Sequence, residues 1–120
     1  MAKIWALIVL LIYLSLLTWI SFVDIGKLPT LGSSFDDKIF HVLSHGLLTL
    51  LCFNYLRKIS ISKPILISAA IPFCYGVIIE ILQGVTTTSR TADGYDILAN
   101  ILGMVFAILF LSIIKNVKLN

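Results

Sequence analysis

The stretch IWALIVLLIYLSLLTWISFV, from Ile4 to Val23, holds 20 residues without one charge. At about 1.5 Å per helical residue it matches a hydrocarbon core about 30 Å thick. Lys3 ahead of it invites comparison with a signal peptide. The run is longer than an apolar signal segment of about 7–15 residues, however, and no small-x-small cleavage site follows, so it reads as an uncleaved membrane anchor. Three more apolar runs follow: 39–56, 64–82 (with Glu80 near its end) and 97–114. Pro64 suits a first helical turn, where its missing N–H is not needed, whereas Pro72 is expected to kink the third span unless neighbours repair the freed carbonyl.

Composition agrees with this reading. Of 120 residues 59% are hydrophobic and 12% charged, with mean hydropathy +1.06, whereas soluble domains carry about 25% charge. The expectation is an all-α integral membrane four-helix bundle, a single domain over residues 1–120. If the N-terminus is cytoplasmic, Lys3, Arg57, Lys58, Lys63, Lys115 and Lys118 lie inside, and Lys27, Lys38 and Arg90 lie outside. That asymmetry predicts cytoplasmic N- and C-termini. All six acidic residues then fall on the outer side. A net charge of +3, scattered along the chain, gives no nucleic-acid footprint. Cys52 and Cys74 lie within apolar runs and read as packing residues.

The outer ends of the spans carry the informative polar residues. Asp37, His41 and His45 are spaced i, i+4, i+8, a stripe running from the interface into the bundle. Asp36 and Asp37 also read as helix-capping residues. Gly76, Glu80 and Gln83 share a face near the outer end of the third span, and Glu80 reads either as a site carboxylate or as an interfacial partner of Arg90. Asp93, Asp96, Asn100 and Gly103 form one face leading into the fourth span. Asn100 must turn toward protein, where it serves either as helix glue or in a site. Residues 24–37 read as an irregular outer loop, and residues 86–96 as a second outer loop leading into the fourth span.

Spans two and four both present helix N-termini to this surface, and Lys38 and Arg90 add positive charge. Such a surface suits a phosphate or carboxylate head group. Asp37, Glu80 and Asp96 oppose those cations and could neutralise them, act as acid or base, or hold a metal. His41 and His45 lack the glutamate of the zinc-protease helix motif, and no metal or other cofactor is expected. Nor is there a nucleophile turn, a Gly-rich phosphate loop or a dinucleotide fingerprint.

Asp37-Lys38-x-x-His41, then Glu80-x-x-Gln83, then Arg90 followed by Asp96-x-x-Ala99-Asn100-x-x-Gly103, together resemble the VanZ-like family of membrane proteins. The resemblance covers roughly Asp37 to Gly103. It departs at His45, where the family often has tyrosine. It implies a multi-pass protein of the bacterial cytoplasmic (inner) membrane, and the founding member is associated with low-level resistance to the glycopeptide teicoplanin.

Three functions fit these residues. In the first, Asp37, Lys38, His41, Glu80, Gln83, Arg90, Asp96 and Asn100 bind an anionic lipid or lipid-linked cell-wall precursor at the outer face. In the second, they form a structural polar lock between helices. In the third, a membrane-embedded hydrolase or transferase uses His41, Glu80 and Asp96 as acid–base groups, with Lys38 and Arg90 holding the anion. Binding ranks first, the lock second and the enzyme third.

Overall fold

The computed structural model describes residues 1–22, 34–86 and 94–119. They form four helices: α1 (Ala2–Phe22), α2 (Ser34–Lys58), α3 (Pro64–Thr86) and α4 (Gly94–Leu119). There is no strand among the described residues. Each helix is long and apolar enough to cross a membrane. The molecule measures 49 × 27 × 23 Å, an elongated bundle.

The helices extend past the apolar runs at the polar end. Residues 34–37, expected in a loop, already belong to α2, and Thr86, Gly94, Tyr95 and Asp96 are likewise helical. Apolarity marks the part of a helix that sits in hydrocarbon, whereas backbone hydrogen bonding continues into the interface, where polar side chains cost nothing. Because α2 begins at Ser34, Asp36 and Asp37 occupy its first turn rather than its cap.

α2 is the most enclosed span and packs against the other three helices. Its core contact with α1 gathers Leu10, Leu17, Leu48 and Cys52, with Tyr13, Leu14, Tyr55 and Tyr75 around them. Cys52 is therefore a packing residue, as expected. Cys74 is exposed, because on α3 it points away from the face that buries Pro72 and Gly76. α3 runs unbroken through Pro72, which is itself buried.

The α2–α4 crossing depends on glycine. A Cβ at Gly103 would fall 2.9 Å from the carbonyl carbon of Val42 and 3.0 Å from the Gly46 nitrogen, and one at Gly46 would fall 3.2 Å from the Gly103 oxygen. Small residues allow such approach in membranes, where association relies on packing and interhelical hydrogen bonds rather than on the hydrophobic effect.

At the opposite end, α2 closes in a Schellman motif. The Ile61 N–H donates to the Leu56 carbonyl and the Ser60 N–H to the Arg57 carbonyl, both at 3.2 Å. Ser60 takes the left-handed conformation this cap requires, with φ 59°. This tight turn leads directly into α3, so the C-terminus of α2 and the N-terminus of α3 share one end of the bundle.

Candidate functional site

The polar residues converge where α2 and α4 start and α3 ends. Lys38 opens the cluster: its Nζ donates to Asp96 Oδ1 across the α2–α4 interface. The other carboxylate oxygen, Oδ2, lies 3.6 Å from His41 Nε2, within ion-pair reach when that ring is protonated. One helical turn deeper, His41 Nδ1 and Asn100 Oδ1 are 2.9 Å apart, the imidazole N–H donating to the amide oxygen. Of the stripe and the face read from the spacing, His41 thus meets Asp96 and Asn100. The Lys38 side chain keeps 32% of its surface exposed and Asp96 only 11%. The ammonium sits at the surface and its counter-ion beneath it.

Glu80 and Asn100 are buried, 3% and 4% exposed. Both line a small cavity together with His41, His45, Tyr75 and Gly76. It offers about 10 Å³ to the centre of a water-sized sphere, space for about one water molecule. His45, left uncertain by its departure from the family pattern, belongs to this cavity and is 4% exposed. Neither of its ring nitrogens meets a hydrogen-bond partner among the described residues. Gly76 is what lets α3 close over it: a Cβ there would fall 2.8 Å from His45 Nε2 and 2.9 Å from Asn100 Nδ2.

Gln83 is placed differently from its neighbours. It is buried, and its Nε2 donates to the Ser21 backbone carbonyl at 2.7 Å, tying α3 to the end of α1. The first helix makes two further ties: Thr18 Oγ1 and the Tyr75 hydroxyl share a 2.7 Å hydrogen bond, and the Tyr13 hydroxyl donates to the Ser44 carbonyl at 2.5 Å. Sequence reasoning treated α1 only as an anchor and missed these. The available signal was Tyr13, Thr18 and Ser21 inside an otherwise apolar run.

The side chains of Asp36 and Asp37, and all of Arg90 and Asp93, lie outside the described residues. Among the described residues, no three His, Cys, Asp or Glu side chains group as a metal site. The cluster offers a partly exposed cation seated on a buried carboxylate, an imidazole able to carry a proton beside that carboxylate, and a second buried carboxylate across a small cavity. Such a set can hold an anion at the surface, move a proton inward, or fasten helices together.

These features define a multi-pass helical membrane protein with a polar cluster assembled from three of its spans at one end. Residues 4–115 match the VanZ/LLP1 family, and the chain belongs to that family. No curated protein and no solved structure matches it.

Proposed function

We propose that the chain is a membrane-embedded binding protein whose polar end faces outward and engages the anionic head group of a lipid-linked or lipid-anchored envelope molecule. The supporting observation is Lys38: an ammonium one-third exposed, held in place by Asp96, which His41 approaches from below. Two helices, α2 and α4, begin at the same surface, and their free N–H groups favour negative charge. The internal cavity of about 10 Å³ is far below the roughly 300–1,000 Å³ of a small-molecule pocket. The head group therefore docks at the mouth, on Lys38, with the buried residues as its support. A link to glycopeptide resistance belongs to this reading, since lipoglycopeptides meet the same lipid-linked precursors. Deleting the gene should change lipoglycopeptide susceptibility or envelope lipid composition, and a Lys38→Gln copy should fail to restore it while Lys38→Arg succeeds. No change in either property on deletion contradicts the proposal.

A second reading, the interhelical lock, draws on the tightness of the same cluster, where Gly76 and Gly103 admit no side chain. Under it, Lys38→Gln, His41→Ala and Asn100→Ala lower the amount of folded protein in proportion to any loss of phenotype. Loss of phenotype at normal abundance removes it.

A further inference from the structure

A second cavity, much larger than the one in the polar cluster, lies at the opposite end. It is a crevice of about 710 Å³ between the end of α2, the start of α3 and the end of α4. Phe53, Ala69, Ile108 and their neighbours form its walls, and Arg57, Lys63 and Lys115 stand in its lining. No carboxylate is among those residues. The sequence supplies none nearby either: no Asp or Glu occurs between Lys38 and Ile79 or after Asp96. Each of the three cations comes from a different helix end or turn, so the end of the bundle concentrates positive charge over an apolar slot. Lys63 stands there with a backbone φ of 56° immediately before Pro64. That conformation is rare for a residue with a Cβ, and such strain persists where the surrounding structure imposes it.

We infer that this crevice is a binding site for an anionic phospholipid of the leaflet that the basic end faces, its phosphate among Arg57, Lys63 and Lys115 and an acyl chain along the Phe53, Ala69 and Ile108 walls. Charge complementarity selects this occupant. A zwitterionic lipid brings its own cation beside the phosphate and leaves the net positive charge of Arg57, Lys63 and Lys115 uncompensated, and a second apolar helix from another copy supplies no anion at all. Basic pockets between membrane helices recognise acidic head groups in this manner, and each cation near the surface contributes about fivefold in affinity. The inference is independent of the polar-end reading, because the two sites share no residue.

The test uses the full chain purified in detergent and measured by native mass spectrometry against phosphatidylglycerol and phosphatidylcholine at equal concentrations. Wild type is expected to retain phosphatidylglycerol preferentially. Replacing one cation, as in Arg57→Gln, should reduce that preference about fivefold, and the triple variant R57Q/K63Q/K115Q about 100-fold. Ala69→Phe, which fills the slot without touching charge, should also weaken retention, whereas Lys38→Gln should leave it unchanged. Melting temperature in the absence of added lipid establishes that the variants are folded. Equal retention of both lipids by wild type overturns the inference, as does full retention by the folded triple variant. Indifference to Ala69→Phe, or a crosslinked dimer that buries the crevice, overturns it too.

Discussion

Gly103 lies so close to Val42 that a Cβ on it would stand 2.9 Å from the Val42 carbonyl carbon, and nearer still to its oxygen. The obstacle is backbone on a neighbouring helix, so relief requires α2 and α4 to move apart. That crossing carries the polar cluster, since Lys38 reaches Asp96 and His41 reaches Asn100 over the same interface.

Gly103→Ala should therefore destabilise the bundle by about 1–3 kcal/mol, the usual cost of overpacking. Gly46→Ala should cost less, because its Cβ would meet the Gly103 oxygen at 3.2 Å and a few tenths of an ångström of adjustment suffices. Unfolding in mixed detergent micelles gives both values, and the reverse order would contradict the crossing.

Gly76 presents a different obstacle. Its Cβ would meet side-chain atoms, His45 Nε2 at 2.8 Å and Asn100 Nδ2 at 2.9 Å. Trimming the imidazole should make room, so Gly76→Ala should cost less in a His45→Ala background than in wild type. A coupling energy of about 0.5–3 kcal/mol is expected from a double-mutant cycle. Additive effects would mean that the two residues do not touch.

Asp96 and Lys38 should show the asymmetry of a paired buried charge. Lys38→Met leaves a carboxylate that is 8% exposed as a residue without its ammonium, whereas Lys38→Met with Asp96→Asn removes both charges. The double variant should melt higher than the Lys38→Met single variant. The His41–Asn100 bond should give a smaller coupling, about 0.6 kcal/mol and at most about 1.7, as interhelical hydrogen bonds in membranes do. Melting temperatures of the two cycles check both statements.

The apolar runs made the four helices legible because a membrane requires about 20 apolar residues per crossing. Helical spacing likewise put Asp96, Asn100 and Gly103 on one face and Gly76 and Glu80 on another, and the structure turns both faces inward. What spacing cannot give is the partner. Gln83 donates to a backbone carbonyl at Ser21, an acceptor that any residue would offer, so no side chain announced it. The role of Gly76 depends on His45 and Asn100, which lie on two other helices, and the extra turns of α2 and α4 carry Ser34, Asp36, Asp37 and Asp96, which interrupt the apolar runs and end a search for them.

Ser60 tests the turn at the basic end. Its φ of 59° suits glycine better than any residue with a Cβ. Ser60→Gly should be neutral to stabilising by up to about 1 kcal/mol, whereas Ser60→Val, β-branched in the left-handed region, should lower the melting temperature.

The most direct test of the polar-end reading is the affinity of the purified protein, in phosphatidylcholine nanodiscs, for a fluorescent polyprenyl diphosphate. The account predicts saturable binding that Lys38→Gln weakens at least about tenfold, or about 1.4 kcal/mol, and that Lys38→Arg retains, with both variants folded. No saturable binding by wild type, or equal affinity for the folded Lys38→Gln variant, would contradict it.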